Sequence, residues 1–306
     1  MRVVEIYILR VVADQKTTIW EQFLQPVLGF FIDEQELKQL SETIDWDGEC
    51  DRLSDPDLVY PEYYQSQNFH GVKNGYLSSS AAVTYDAVTQ YVLPPNETWI
   101  RQEAIEVIGG SPRRILDLGC GTGSTTLLLK QAFSDAEITG LDLSPYMLAI
   151  ASYKAQENKA QQNPAQKQNQ TINWRHGRAE ATGLEPASFD LVTASLLFHE
   201  TPTEITQQIL EECFRLLVPG GQVVILDGNQ KTLRQTPWLN NIFEEPYINQ
   251  YAEGNLDGWL GAAGFDAIRT QDIWWTNQVS YALKPIPISD RGQNPELEFD
   301  FPVVPV

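Results

Sequence analysis

Basic side chains are scarce in this chain of 306 residues: 21 Lys and Arg stand against 41 Asp and Glu, a formal net charge of -20. A protein that holds nucleic acid without regard to sequence draws its affinity from cations that displace counterions from phosphates, so that class is excluded, and an anionic membrane surface repels the chain for the same reason. Cysteine is nearly absent. Cys50, Cys120 and Cys213 are odd in number and far apart, with no Cys-x-x-Cys pair, so neither a disulfide framework nor a zinc cage is written here, and a reducing, cytoplasmic compartment fits. The three histidines, His70, His176 and His199, form no His-x-x-x-His pair and the sequence shows no clustered carboxylates, so no metal site is expected. Nowhere do eighteen apolar residues run together, and Met1 to Arg10 carries Glu5 and Arg10 with no small-residue cleavage site; the expectation is a soluble protein without a signal peptide or integral membrane segment, at most in peripheral membrane contact. Nothing in the sequence speaks to oligomeric state.

What is present is enough apolar material, 42% hydrophobic and 10% aromatic, for a sizeable core. Up to about residue 95 the texture is aromatic-rich and without strand-helix alternation. Ile19, Trp20, Phe23, Leu24, Val27, Leu28 and Phe31 recur at helical spacing, with a kink expected at Pro26. Residues 34–43 read as a helix, 51–75 as an irregular segment, and 79–91 as a helix ending before Pro94 and Pro95. Beyond Glu103, short apolar runs alternate with helical ones, the pattern of βαβ units and a mostly parallel sheet. Strands are expected at 114–118, 136–141, 172–176, 189–197 and 222–226, then an antiparallel hairpin of 267–273 and 278–283. Helices are expected at 123–133, 145–156, 204–217 and 259–263. Residues 157–171 hold five Gln and three Asn and read as a solvated loop or helix extension. The chain thus divides into a helical cap at 1–95, an α/β core at 96–284 and an extended or disordered tail at 285–306, which holds five prolines.

The strongest local signal is Asp117-Leu-Gly-Cys-Gly-Thr-Gly123, a strand running into a glycine-rich turn and a helix. Glycines fold the turn tightly and let backbone approach a nucleoside-bearing ligand. A dinucleotide fingerprint requires Gly-x-Gly-x-x-Gly; here the third glycine comes one residue early and Ser124 takes the sixth place. Asp117 would repel a pyrophosphate but attract the ammonium of an amino-acid moiety, which favours S-adenosylmethionine over the alternatives of a nicotinamide dinucleotide or a turn serving packing alone. The second strand ends in Gly140-Leu-Asp-Leu143, putting Asp142 where a carboxylate accepts both ribose hydroxyls.

With these residues the chain resembles the class I S-adenosylmethionine-dependent methyltransferases, in particular the type 11 branch with the ubiquinone and menaquinone biosynthesis methyltransferases. The resemblance runs through Asp117 to Gly123, Gly140-Leu-Asp-Leu-Ser144, His176-Gly-Arg-Ala-Glu180, Ser188-Phe-Asp-Leu-Val192 and Leu216-Leu-Val-Pro-Gly-Gly221, in family order. It implies a Rossmann-like, seven-stranded sheet of order 3-2-1-4-5-7-6. It also implies that Asp117, Gly119, Cys120, Gly121 and Gly123 form the turn at the cofactor's methionine end, that Asp142 meets the ribose and Leu143 the adenine face, and that Ala179 and Glu180 lie beside the adenine amino edge. Arg178 departs from the family's usual Asp, and its side chain cannot accept a hydrogen bond from that amino group.

Methyl transfer from a sulfonium is an in-line displacement in which positioning supplies much of the catalysis, and an oxygen acceptor must also lose a proton. Ligands of open α/β sheets bind at the carboxyl ends of strands. His199, after strand four, is the candidate base, with a backbone-bonded loop histidine as the plainer reading; Asp227, at the end of strand five, is either a second catalytic group or a turn residue. The segment 68–76, with His70, Lys73 and Tyr76, reads as a cover over cofactor or acceptor, or as a plain surface loop. Tyr85 reads either as a cofactor contact from the cap helix or, as the plainer reading of a helical aromatic, as core; His176 reads as structural, and Trp274 and Trp275 as packing between the hairpin and the cap. The expected activity is methyl transfer to a small-molecule acceptor, a lipophilic phenol or quinol; the alternatives are O-methylation of a small polar metabolite and a non-catalytic S-adenosylmethionine-binding scaffold or sensor.

Overall fold

The computed structural model describes residues 33–70, 72, 75–92, 96–161 and 171–287; the expected helix at 17–31 and the tail beyond residue 287 lie outside them. Five strands, β1 (Arg114–Leu118), β2 (Glu137–Asp142), β3 (Ile172–His176), β4 (Phe189–Ser195) and β5 (Leu217–Gly228), are parallel, and β6 (Asp266–Ile273) and β7 (Asn277–Leu283) close the edge. The order is β3-β2-β1-β4-β5-β7-β6, with β7 antiparallel to both β5 and β6. This is the class I methyltransferase sheet that the motifs imply. β1 is buried from Ile115 to Leu118 because helices cover both faces, which is why its sequence is a continuous apolar run broken only by Asp117.

Before β1 come α1 (Glu34–Thr43), α2 (Trp46–Leu53), α3 (Glu62–Gln65), α4 (Ser79–Val92) and α5 (Glu97–Glu106). Between the strands lie α6 (Ser124–Ala132), α7 (Pro145–Gln161) and α8 (Thr203–Leu216), followed by α9 (Gln230–Gln235), α10 (Pro237–Phe243), α11 (Ile248–Glu253) and α12 (Leu256–Ala262). Asx residues start many of them: Asp33, Asp45, Asn96, Asn229 and Asn255 each accept a hydrogen bond from a first-turn backbone N–H. The segment 51–75, expected to be irregular, instead begins inside α2 and contains α3. Its short helix has only four residues, too few to show a period. Helices α9 to α11 fill a stretch that the sequence left unassigned, and each is six or seven residues long. Among the described residues no helix is long and apolar enough to cross a membrane.

Three apolar clusters build the core. Phe198, Ile209, Leu210, Cys213 and Leu216 pack beneath one sheet face, and Ile100, Ala104 and Leu129 beneath the other. A third cluster joins the cap, through Leu53, Tyr64, Phe69 and Ala82, to Met147 and Leu148 of α7. Polar pins fasten the same junction. Ser144 Oγ donates to the Tyr76 carbonyl at 2.6 Å, and Arg52 reaches Ser152 Oγ at 3.0 Å. His176 Nδ1 accepts the Asp55 N–H at 3.0 Å, which leaves the Nε2 proton for the Leu143 carbonyl at 2.9 Å; its role is structural, and burial lowers its pKa.

The hairpin is the exception to the packing expected of it. Trp274 and Trp275 are about half exposed, so they do not wedge between the hairpin and the cap; the turn at Trp274 (φ 53°) carries both rings outward.

α4, α5 and α6 are joined by one buried ion pair. Arg101 donates through Nε and Nη2 to Glu97 Oε1 at 2.9 and 2.6 Å, Thr89 donates to Glu97 Oε2 at 2.8 Å, and Arg101 Nη1 donates to Thr125 Oγ1. Removing one partner leaves the other's charge buried, at a cost of about 3 kcal/mol or more. Glu97→Ala is therefore expected to lower the unfolding free energy in urea by about 3 kcal/mol; a change within experimental error would show that the pair is not what joins these helices.

Candidate active site

A cleft of about 730 Å³ opens at the carboxyl ends of β1, β2 and β4, where the strand order reverses. Its floor is Gly119 and Gly121, one wall is Leu141, Asp142 and Leu143, and Gly177, Arg178 and Ala179 continue that wall beyond β3. Ser195, Leu196 and Leu197 form the opposite wall, and the cap contributes Tyr63, Tyr64, Tyr76 and Tyr85. A smaller recess of about 260 Å³, lined by Asp117, Cys120, Thr122 and Arg101, shares Gly119, Gly121, Ser195 and Tyr85 with the cleft.

The glycine turn has the shape its sequence requires. Gly119, Gly121 and Gly123 all have positive φ, between 53° and 78°. A side chain at Gly119 would also meet Leu197 at 2.8 Å. Gly123 lies outside both openings and packs instead against Trp174 and Ala151 while starting α6.

Asp142 binds the turn to its own strand end. Its Oδ2 accepts the Gly121 N–H and its Oδ1 the Ser144 N–H, both at 2.8 Å, leaving lone pairs on each oxygen at the cleft wall. Burial pushes its carboxyl up to about 6, against these hydrogen bonds and with a small contribution from Asp117. Asp117 is 1% exposed and accepts from Thr126 Oγ1 at 2.6 Å and Thr193 Oγ1 at 2.8 Å; burial raises its pKa too, and the two hydroxyls oppose the rise. Asp117 faces the smaller recess and does not line the cleft. Glu180 also lies outside the lining, where Tyr63 donates to it at 3.4 Å. Tyr85 lines both openings, edge-on to Tyr76 at 5.5 Å, and is not the plain core residue its helical spacing suggested.

At the far end of the cleft, folding assembles what the sequence scatters. β4 ends at Ser195, Leu196 follows with φ 59°, and then comes a single 3-10 turn, Phe198–Glu200. His199 Nδ1 lies 2.6 Å from Asp227 Oδ1, and the fully buried Asp227 also accepts the Phe198 N–H. Tyr76 donates to Glu200 Oε1 at 2.8 Å. His70, with φ 48°, has its Nδ1 3.0 Å from Glu245 Oε1, and its Nε2 3.7 Å from Glu200 Oε1. Burial opposes charge on His199, yet Asp227, Glu200 and Glu245 outweigh it and hold its pKa up at about 9. The ring therefore carries a proton at neutral pH in this arrangement. Burial, with Glu245 beside it, lifts Glu200 to about 7, and burial keeps Tyr76 a neutral phenol. Lys73 lies outside the described residues.

Sequence reasoning brought His70, Tyr76, His199 and Asp227 to this end of the fold and missed Glu200, Glu245, Tyr63 and Tyr64. Glu200 could have been found as the neighbour of His199. Glu245 meets His70 across 175 residues and carries no local signal. Asp86 was missed likewise: it accepts from Thr122 Oγ1 and from Lys154 Nζ, fastening α4 over the glycine turn.

A family model described as a methyltransferase domain matches residues 115–221, the stretch from β1 into β5 that builds the cleft floor. The demethylmenaquinone methyltransferase of Lactococcus lactis is 39% identical over 180 residues, covering 51% of this chain and 67% of that protein. That of Deinococcus radiodurans is 34% identical over 150 residues, covering 49% of this chain and 57% of that protein. The chain thus spans 57% to 67% of the length of these two relatives. Among solved structures, Haemonchus contortus phosphoethanolamine N-methyltransferase 2 in complex with S-adenosyl-L-methionine superposes with a TM-score of 0.52 at 15% identity, covering 76% of this chain and 62% of that one. Human N-acetylserotonin methyltransferase gives 0.50 at 17%, covering 69% and 58%. At such identities the likeness is one of fold.

The buried carboxylate of Asp117 supplies a stability test independent of any ligand. Thr193→Val keeps the side-chain shape and removes one of its two hydroxyl donors, which costs about 1 to 3 kcal/mol. A lower urea midpoint is expected, with an unchanged slope. An unchanged midpoint would mean that the hydroxyl does not stabilise Asp117.

Proposed function

Because the chain belongs to the class I S-adenosylmethionine-dependent methyltransferases, we propose that it binds S-adenosylmethionine in the cleft and transfers the methyl group to a small lipophilic phenol or quinol. The observation that carries the cofactor reading is Asp142: a half-buried carboxylate tied by Gly121 and Ser144, with lone pairs left for two ribose hydroxyls at the end of β2. Leu143, Arg178 and Ala179 frame the adenine slot, in which backbone at Ala179 takes the place of the side-chain acceptor that Arg178 cannot supply. The methionine end lies over Gly119 and Gly121 and reaches toward the recess, where Asp117 and Cys120 sit; the carboxylate attracts the ammonium. Gly123 and Glu180 support this binding from outside the lining, by packing and through Tyr63.

The acceptor lies between the four cap tyrosines and Leu196, Leu197 and Ile209. That lining suits an aromatic, lipophilic molecule, and the relatives named for demethylmenaquinone support the same acceptor class. Its polar group is held at the end built from Glu200, Tyr76 and His70, with His199 oriented by Asp227 behind them. Arg178 is the one basic residue lining the cleft among the described residues, so an anionic acceptor has little to meet.

Titration calorimetry with S-adenosylmethionine and S-adenosylhomocysteine tests the cofactor reading. Both are expected to bind, and Asp142→Ala to weaken binding at least tenfold, since a hydrogen bond to a charged group contributes about 1.5 to 3 kcal/mol. Absence of binding to both ligands would overturn the proposal.

The raised pKa of Asp142 adds a pH dependence. Ribose hydroxyls donate to the ionised form, so affinity is expected to fall about tenfold as pH drops from 7 to 5 through its value near 6, and to flatten in Asp142→Asn. A flat profile for the unmutated chain would place the ribose elsewhere.

Transfer itself is read by incubation with S-adenosylmethionine carrying a labelled methyl group and separated lipid and polar metabolite fractions. Label in a lipid fraction is expected. Label in a polar fraction would identify a polar acceptor instead, and none in any fraction would favour a binding protein without transfer.

A further inference from the structure

We infer that His70, His199 and Glu200 form a binding site for a first-row divalent metal ion at the acceptor end of the cleft. One ligand atom from each of the three lies within 4.8 Å of the others, and His70 Nε2 is 3.7 Å from Glu200 Oε1. Metal-ligand bonds of about 2.1 Å place neighbouring ligand atoms about 3.0 to 3.5 Å apart, so side-chain shifts of under an ångström or so complete the triangle.

The surroundings are those of metal-binding imidazoles. A histidine that binds a metal through one nitrogen nearly always donates its other N–H to a carboxylate or carbonyl, which fixes the tautomer and the ring. Both histidines here have that support: His199 Nδ1 against Asp227 at 2.6 Å and His70 Nδ1 against Glu245 at 3.0 Å. With Nδ1 so engaged, Nε2 is the nitrogen left for an ion, which displaces the proton that His199 otherwise carries at neutral pH. Both supporting carboxylates have side chains with no solvent exposure. Glu245 Oε2 is buried with no hydrogen-bond partner among the described residues, so only one oxygen of this carboxylate is satisfied beside the triad. Two imidazoles and one carboxylate suit Zn²⁺, Fe²⁺, Mn²⁺ or Co²⁺ better than Mg²⁺ or Ca²⁺, which prefer oxygen ligands throughout. Three protein ligands leave a coordination position open, as catalytic sites do and structural ones do not. Glu200 lines the cleft, so that position is offered to an oxygen of the acceptor; this role rests on the methyltransferase reading, whereas ion binding does not.

The test is titration of the full, untagged chain with Co²⁺, followed by visible absorption and calorimetry, with S-adenosylhomocysteine affinity measured on the same samples. One Co²⁺ per chain is expected, with d–d bands and no thiolate charge-transfer band. His70→Ala and His199→Ala are each expected to weaken Co²⁺ binding at least a hundredfold, and Asp227→Asn, which removes only a supporting charge, about ten- to a hundredfold. Retained S-adenosylhomocysteine binding by the His70→Ala chain shows that it is folded, and His70→Gln serves if the alanine variant is not. Co²⁺ affinity within threefold of the unmutated chain in either folded histidine variant, or a thiolate band assigning the ion to cysteine, would overturn the inference. An unmutated chain that binds S-adenosylhomocysteine but not Co²⁺ overturns the metal site and leaves the cofactor reading standing. Failure to bind S-adenosylhomocysteine while Co²⁺ binds overturns the cofactor reading alone.

Discussion

Burial of carboxylates along one edge of the sheet is the constraint on which the rest of this structure depends. Asp117, Asp142, Glu200 and Asp227 lie at or just beyond the last residues of β1, β2, β4 and β5, with Asp142 and Glu200 half-buried and the other two buried, and the buried Glu245 joins them from the loop before α11. Taking a carboxylate out of water is costly unless hydrogen bonds or opposite charge replace the solvent. The chain meets that cost differently at each place. Hydroxyls of Thr126 and Thr193 serve Asp117, backbone N–H groups serve Asp142, and imidazoles serve Asp227 and Glu245. Groups satisfied this far and no further are suited to receive positive charge or hydroxyl donors from a ligand.

The cap is organised by the same edge. α4 is fastened over the glycine turn by Asp86, which takes Thr122 and Lys154, and the loop before α4 is fastened by the Ser144 hydrogen bond to Tyr76. His176 pins the segment around Asp55 to the end of β2. Each contact joins the cap to the residues around the cleft, so the tyrosines that cover the opening are positioned by residues adjoining the cleft-lining backbone. The apolar cluster between the cap and α7 supplies the bulk of the adhesion, and these polar pins set the register.

Legibility in the sequence followed range. The five parallel strands were readable because each is a short apolar run between a turn signal and a helical period, and the glycine turn because its spacing and Asp117 are contiguous. Asp142 was readable because its place is set by the βαβ unit before it. The far end of the cleft was half legible: His199 and Asp227 fall at strand ends, but their 2.6 Å contact and the second histidine–carboxylate pair depend on chain segments far apart in sequence. Short helices such as α3 and α9 to α11 escaped because four to seven residues carry too little periodicity to register. The hairpin tryptophans misled because large aromatics are usually buried, whereas the turn at Trp274 directs both rings to solvent.

Hydrogen exchange of backbone amides, with and without S-adenosylhomocysteine, tests the central claim that one nucleoside-bearing ligand joins the glycine turn, the end of β2 and the cap. Added ligand is expected to slow exchange together at residues 119–122, 142–144, 177–180 and 60–77, with residues 266–283 of the distant hairpin unchanged. Protection confined to other segments, or absent from 142–144, would contradict the account.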